Sequence, residues 1–118
     1  MGKEDTGECI FCEIIGRTKP ADIIYEDDRV VAFKDKRPRA PVHVLVIPRK
    51  HIPTLFDLTD EDENLIGHIH LVAARLARQL GAVDGFRVVV NCGARAGQTV
   101  YHLHFHILAG RPLGWPPG

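Results

Sequence analysis

The stretch Gly93–Leu108, G-A-R-A-G-Q-T-V-Y-H-L-H-F-H-I-L, sets the expectations for the rest of the chain. Histidines occupy every second position near its end, at His102, His104 and His106, and large apolar residues stand between them. A period of two is typical of a β-strand, whose successive side chains point to opposite faces. We therefore predict a strand with three imidazoles on one face and a core-packing apolar surface on the other.

The chain of 118 residues has the size and composition of one soluble domain. We expect this domain to span residues 1–118, with a loose polar segment at 1–8 and a tail at 111–118. Fifteen basic and fifteen acidic residues cancel, which argues against nucleic-acid binding. No apolar run is long enough for a membrane span, and three cysteines do not suit a disulfide framework, so we expect a cytoplasmic protein.

The other segments predict an α+β fold with an antiparallel sheet. Strand patterns cover residues 23–25, 30–33, 44–47 and 86–91, and the turn at 26–29 should close a hairpin. The nearly continuous apolar run at 44–47 predicts a central strand that ends at Pro48. A short helix is expected over residues 9–15. A longer one should begin near Thr59 and end before Gly81, with His68 and His70 on its surface.

The three histidines at 102, 104 and 106 have three possible roles: metal binding, a purely structural role or covalent catalysis. Strand neighbours two apart lie about 6.6 Å from each other and the outer pair about 13 Å, so two of the rings could share a metal ion and three could not. A neutral imidazole with a pKa near 6.5 is a good nucleophile toward phosphorus, and its rate should fall as pH drops through the low sixes. The loop at 93–99 adds N–H groups and the Gln98 and Thr99 side chains for phosphate binding.

The sequence His-Leu-His-Phe-His-Ile-Leu at 102–108 resembles the signature of the histidine triad (HIT) superfamily. The segments 40–48, 90–91 and 97–101, together with Trp-Pro-Pro-Gly at 115–118, are similar to the Hint branch. The resemblance implies an antiparallel five-stranded sheet with two helices, and a homodimer in which the sheet continues across both subunits.

The resemblance also implies a hydrolase activity. Hint-like proteins are purine nucleoside phosphoramidases, which cleave the P–N bond of AMP or GMP joined to an amine. His104 would be the nucleophile and form a nucleotidyl-histidine, with its Nδ1 proton held by the His102 carbonyl. His106 would hydrogen-bond the α-phosphate, His43 would relay protons, and Thr99, at a position that is usually serine, would serve the leaving group. No cofactor is expected for this chemistry.

A set of residues is implied to bind the nucleotide. Asp35 would bind the ribose hydroxyls, although from the sequence alone a solvated charge among basic residues is favoured. Trp115 would shape the pocket of the partner subunit. The implied contacts are Asp35, Asn91, Gly97, Gln98, Thr99, His106 and Trp115. Two alternatives stay open. One is a nucleotide-binding regulatory module with little catalysis. The other is a dinucleoside polyphosphate hydrolase, and the Trp-Pro-Pro-Gly sequence at 115–118 argues against it.

A second cluster is implied near the N-terminus. Cys9-x-x-Cys12 with His51 resembles the zinc site of some bacterial HIT proteins, in which the first triad histidine, here His102, completes the ligand set. The result would be a closed Cys₂His₂ structural zinc site. The alternative is a pair of buried thiols without metal.

Overall fold

A computed structural model of the protein describes residues 9–118, so the expected loose segment at 1–8 lies outside the described residues. The helices and strands are, in chain order, α1 (Ile10–Ile15), β1 (Ile23–Glu26), β2 (Val30–Lys34), β3 (Val42–Pro48), α2 (Glu63–Gln79), β4 (Arg87–Val89) and β5 (Phe105–Ala109). Short 3-10 turns lie at Leu55–Asp57, Asp60–Asp62 and Ala94–Ala96. Within the described part of the chain, no helix has the length and apolarity to span a membrane.

The strands form one five-stranded antiparallel sheet in the order β1-β2-β3-β5-β4. The β1–β2 hairpin turns at 27–29, and β3 is the central strand. In the pairing of β3 with β5, Val44 lies opposite Ile107 and Leu45 opposite His106. The predicted α+β class, with five antiparallel strands and two helices, is confirmed.

The two faces of the sheet carry different layers. On one face Val44, Val46 and Ile107 pack with Ile69 and Val72 of α2 in the larger core. Burial of such side chains stabilises the fold by about 1.5–3 kcal/mol each. Because side chains alternate along a strand, the next residues, such as Leu45 and His106, point to the opposite face. There Phe11 and Ile14 of α1 cover Phe33, Leu45 and Ile47. The alternation therefore places histidines on the α1 side.

The helix termini follow local capping rules. The Cys9 thiol accepts the N–H of Cys12 at the start of α1. Thr59 and Asp62 form a capping box, but the first turn is a 3-10 turn and α2 itself begins at Glu63. Beyond α2, Gly81 has a φ of 89°, which favours glycine. His70 is exposed as expected, but the prediction of a surface His68 was wrong, because its Nε2 lies 2.7 Å from Asp27 Oδ2 and its side chain is mostly buried.

The histidine segment differs from a regular strand. β5 begins only at Phe105, so His102 and His104 precede it in irregular backbone. Leu103 donates its N–H to the Ile52 carbonyl at 2.6 Å, so this segment bonds to the loop after β3. The His102 ring is fully buried, whereas His106 is half-buried on the sheet. The prediction of three imidazoles on one strand face was wrong, because the extended pairing stops before it reaches the first two.

Candidate functional site

His104 is held in one tautomer by the backbone. Its Nδ1 lies 2.8 Å from the carbonyl oxygen of His102, and a carbonyl only accepts hydrogen bonds. Nδ1 therefore carries the proton, and Nε2 of the neutral ring keeps its lone pair. Phe11 packs its ring edge-on at a centroid distance of 5.1 Å and leaves His104 only 8% exposed. The hydrogen bond that the resemblance implied is present, and Nε2 keeps the lone pair that a nucleophile needs.

His43 and His106 form a directed pair of hydrogen bonds. The backbone N–H of Arg39 donates to His43 Nδ1 at 3.0 Å, so the proton of the neutral His43 ring lies on Nε2. That Nε2 lies 3.0 Å from His106 Nδ1, which must accept, and the His106 proton is therefore on Nε2. Asp35 Oδ2 lies 3.4 Å from His43 Nε2 and favours the same protonation. Through this chain, His106 presents an N–H donor.

Asp35, His43 and His106 border a cavity of about 360 Å³, and His104 lies outside its lining. Its lining consists of Asp35, Arg37, Arg39, His43, Val89, Asn91, His106 and Leu108. The expected substrate contacts Asp35, Asn91 and His106 thus come together with His43 at one opening. The Asp35 carboxylate is 21% exposed and accepts the N–H of Arg37 at 2.8 Å. The expectation from the sequence alone of a solvated charge at Asp35 was therefore wrong.

Burial keeps the histidines of this site neutral. Desolvation lowers the pKa of His104, and the hydrogen bond to the His102 carbonyl opposes that shift. Burial lowers the pKa of His106 to about 4, with smaller effects of the same sign from His104 and His43. Burial also lowers the pKa of His43, against the opposing charge of Asp35. At neutral pH His104, His43 and His106 therefore keep the tautomers that their hydrogen bonds assign.

The Gln98 side chain closes the loop before the histidine segment. Its oxygen accepts the N–H of Gly93 at 2.8 Å, and its Nε2 group donates to the carbonyls of Pro53 and Val100 at 2.7 and 3.0 Å. Gly97 has a φ of 98°, where the loop leaves the 3-10 turn. Both amide hydrogens of Gln98 are already used within the protein. A contact between Gln98 or Gly97 and substrate stays a prediction.

Thr99 and Trp115 do not line the cavity wall. Thr99 is exposed at the end of the same loop. Trp115 is 83% exposed, on a tail whose Leu113 and Gly114 carbonyls accept hydrogen bonds from Arg87 at 3.2 and 2.8 Å. Their predicted roles, in leaving-group chemistry and in the pocket of a partner subunit, stay predictions.

Several of the residues that line the cavity were not identified from the sequence. Val89 and Leu108 follow from the strand alternation once β4 and β5 are known to be neighbours. Arg37 and Arg39 lie in a proline-containing loop whose path no periodicity describes. The N–H of Arg39, which fixes the His43 proton, is a backbone group and gives no signal in the sequence.

The second implied cluster is brought together by the fold. Cys9, Cys12, His51 and His102 place one ligand atom each within 4.8 Å of one another. His102 Nδ1 lies 3.3 Å from Cys9 Sγ and 3.2 Å from His51 Nδ1, and His51 Nδ1 lies 3.3 Å from Cys12 Sγ. Tetrahedral zinc with bonds of about 2.0–2.3 Å separates neighbouring ligand atoms by about 3.3–3.8 Å. The measured spacings suit that geometry.

The protonation of His102 also suits a metal ligand. Its Nε2 lies 2.8 Å from the Pro48 carbonyl, so Nε2 carries the proton and the Nδ1 lone pair points at the two thiols. The N–H of Cys12 donates to Cys9 Sγ at 3.2 Å, a contact that stabilises a thiolate. Burial raises the pKa of Cys12 to about 12, so a metal ion has to displace the thiol proton. The donor set fits zinc.

Asp35, His43 and His106 also lie close enough for metal coordination. The hydrogen bonds argue against this use. Because Arg39 donates to Nδ1, the neutral His43 ring has no lone pair on Nε2, the atom that faces the other two side chains. These hydrogen bonds leave the cluster with a donor at His106 Nε2 rather than a set of lone pairs for a metal ion. The relay of protons expected of His43 stays a prediction.

Comparison with known proteins places this geometry in a family. The HIT domain matches residues 17–113. The chain belongs to the HIT domain family. An uncharacterized HIT-like protein of Synechocystis sp. is 57% identical to this HIT protein over 115 residues, which cover 98% of each chain.

Solved structures of other family members have the same fold. A HIT family hydrolase from Legionella pneumophila superposes with a TM-score of 0.92 at 45% identity, covering 94% of this chain and all of that one. A histidine triad nucleotide-binding protein from Candida albicans superposes with a TM-score of 0.79 at 32% identity, covering 92% of this chain and 83% of that one.

Proposed function

We propose that this HIT protein is a hydrolase of the Hint type, a nucleoside phosphoramidase that cleaves the P–N bond of AMP– or GMP–amine conjugates. The observation that carries the proposal is the hydrogen bond from His104 Nδ1 to the His102 carbonyl, which leaves Nε2 free to attack phosphorus. The description of the Legionella relative as a hydrolase and of the Candida relative as nucleotide-binding supports this assignment.

In the first half of the proposed reaction, His104 Nε2 attacks the α-phosphorus and a P–Nε2 bond forms. The P–N bond to the amine breaks, and the amine leaves with a proton. The His106 Nε2–H group lies beside the reacting centre, with the His104 and His106 rings 5.1 Å apart. It stabilises negative charge on the phosphate oxygens, and the leaving amine takes its proton from solvent.

In the second half, water attacks the nucleotidyl-histidine. The P–Nε2 bond breaks, the nucleoside monophosphate leaves, and the proton lost by water passes to solvent. Asp35, which lines the cavity, would accept hydrogen bonds from the ribose hydroxyls. Val89 and Leu108 offer apolar surface for the purine. No step of this scheme needs a metal ion.

The role of His104 can be tested with a matched pair of histidine variants. His104→Ala should lower the release of AMP from adenosine 5′-phosphoramidate at least 10³-fold, roughly the loss expected when a nucleophile is removed. The control is His70→Ala, because His70 is an exposed histidine of α2 outside the cavity. Wild-type protein that binds AMP tightly without turnover would favour a regulatory binding module, and preferential cleavage of dinucleoside polyphosphates would favour the other hydrolase class.

We further propose that Cys9, Cys12, His51 and His102 hold one structural zinc ion. When bound, zinc would join α1 to the loop after β3 and to the histidine segment. The support is the tetrahedral spacing and the fixed His102 tautomer. Because the His102 carbonyl orients His104, the same residue serves both clusters.

We also propose a homodimer in which two copies join their sheets at β4. β4 is an edge strand, and edge strands present unpaired backbone groups that invite pairing. Val83 and Phe86, just before it, are 79% and 40% exposed. Light scattering at micromolar concentration should give twice the chain mass of 13.1 kDa. A mass of one chain would contradict the assembly and, with it, the proposed place of Trp115 beside a partner's pocket.

A further inference from the structure

Arg39 lies in the loop between β2 and β3, and hydrogen bonds fix both its backbone N–H and its backbone carbonyl. Its N–H donates to His43 Nδ1 at 3.0 Å, and its carbonyl oxygen accepts two hydrogen bonds from the Arg111 guanidinium, from Nε at 3.1 Å and from Nη2 at 2.9 Å. The third donor of that guanidinium, Nη1, bonds the Pro112 carbonyl at 3.0 Å. A planar guanidinium with three fixed hydrogen bonds defines the orientation of the group it binds.

The segment after β5 also packs closely on this loop. A Cβ built on Gly110 would lie 2.7 Å from Pro41 Cβ, so only a glycine lets the two backbones approach this closely. Arg111 follows directly and extends along the loop to Arg39. Arg111 is exposed and does not line the cavity, so it has no direct contact with a nucleotide there.

We propose that Arg111 is a positioning residue for the His43–His106 pair and acts through the backbone of Arg39. By holding the Arg39 carbonyl, Arg111 keeps the Arg39 N–H aimed at His43 Nδ1. That N–H places the His43 proton on Nε2, and this proton in turn places the His106 proton on its own Nε2. The inference rests on the proposed function for its consequence, since His106 then offers a donor rather than a lone pair to the phosphate.

The opposite pair of tautomers at His43 and His106 is the one that the Arg39 N–H prevents. If Nδ1 of His43 carried the proton, its Nε2 would accept from His106 Nδ1, and His106 Nε2 would hold a lone pair facing an anionic phosphate. Asp35 lies 3.4 Å from His43 Nε2 and resists this change from the other side. Loss of Arg111 should therefore shift the tautomers in part, and loss of the Arg39 N–H should shift them more.

The direct test is the tautomer of each ring, read by long-range ¹H–¹⁵N correlation spectra of histidine-labelled protein at pH 7.5. Arg39→Pro removes the N–H and Arg39→Ala keeps it, so the two form a matched pair. Arg39→Pro should change the His43 tautomer ratio about tenfold, as expected for loss of one hydrogen bond. Arg39→Ala should retain the wild-type tautomer.

The role of Arg111 is tested in the same spectra. Arg111→Met should give a mixed tautomer at His43 and His106, and Arg111→Lys, which restores one donor, should move the ratio back toward wild type. The control is Arg87→Met, which removes contacts to the tail carbonyls of Leu113 and Gly114 but none to the loop. In steady-state assays Arg111→Met should lower kcat with KM changed less than about twofold, the pattern of a contact used in the transition state.

Two results would overturn the proposal: an unchanged tautomer in folded Arg39→Pro, or an unchanged tautomer in Arg111→Met. A purely structural role of Arg111 predicts the second result together with lower stability. If Arg39→Pro does not fold, the Arg111→Met and Arg111→Lys pair decides the question. The spectra need no substrate. If wild-type protein fails to cleave phosphoramidates, the tautomer measurement therefore still decides the role of Arg111, and the two failures can be told apart.

Discussion

Gly110→Ala should destabilise the protein through two separable effects. Gly110 has a φ of 97°, where an L-residue costs about 1–2 kcal/mol. Its added Cβ would also lie 2.7, 3.0 and 3.3 Å from Cβ, Cγ and Cδ of Pro41, a rigid ring that cannot move as a flexible side chain does. Overpacking of this kind costs about 1–3 kcal/mol. The sum of the two effects is a loss of about 2–5 kcal/mol in the free energy of unfolding.

Gly97→Ala is the matched control for the backbone effect. Gly97 has nearly the same φ, 98°, and a Cβ there would meet nothing within 4 Å. Urea unfolding followed by circular dichroism should therefore show a loss of about 1–2 kcal/mol for Gly97→Ala and about 1–3 kcal/mol more for Gly110→Ala. Equal losses in the two variants would refute the close packing of the segment after β5 on the Pro41 loop.

Three further predictions address the loop at 93–99, the proposed zinc ligands and the pH profile. Gln98→Ala should lower the free energy of unfolding by about 2–3 kcal/mol, since it leaves buried partners unpaired, whereas Thr99→Ala next to it should cost less than about 0.5 kcal/mol; equal urea midpoints would contradict this. Protein purified without a histidine tag should contain one zinc per chain by elemental mass spectrometry. Cys12→Ser should lose this zinc and Cys92→Ser, outside the cluster, should keep it; a metal-free wild-type chain would reject the site. Because the pKa values of His43, His104 and His106 are lowered, kcat/KM at pH 6 should exceed the roughly one quarter of its plateau value that an imidazole of pKa 6.5 would keep. A fall to a quarter would contradict the burial of these rings.

The sequence predicts the layers of this fold well where periodicity is strong. The apolar run at 44–47 gives the central strand. The apolar stripe of Leu65, Ile69, Val72, Leu76 and Leu80 gives α2, of which Ile69, Val72 and Leu76 are buried, whereas Leu80 at the C-cap is 39% exposed. Those patterns report burial directly, since apolar side chains recur with the period of the element that carries them. The start of the long helix near Thr59 is equally local, since Thr59 forms a capping box with Asp62.

The histidine segment shows where periodicity stops being informative. The alternation continues through His102, but the strand does not, because Leu103 bonds to the Ile52 carbonyl and the chain there leaves the sheet. A contact with a loop 51 residues earlier in the chain has no local signature. The same holds for Asp35, whose basic neighbours suggest solvent until β2 and β3 bring it beside His43.

The resemblance supplied what local physics could not. It named Cys9, Cys12, His51 and His102 as one cluster, and the fold brings these four together. It did not point to Arg39 or Arg111, because their contributions are made by backbone atoms and by a side chain outside the cavity. Residues that act through the main chain are visible only in three dimensions.

The central claim is that His104 forms a covalent bond to the nucleotide phosphorus. The measurement that tests it most directly is mass spectrometry of the enzyme, quenched at neutral to alkaline pH during turnover of adenosine 5′-phosphoramidate and then digested. The account predicts an added adenylyl group on the peptide that contains His102–His106, assigned by fragmentation to His104 and absent from His104→Ala. Steady turnover with no adduct, or an adduct on His106 in place of His104, would contradict it.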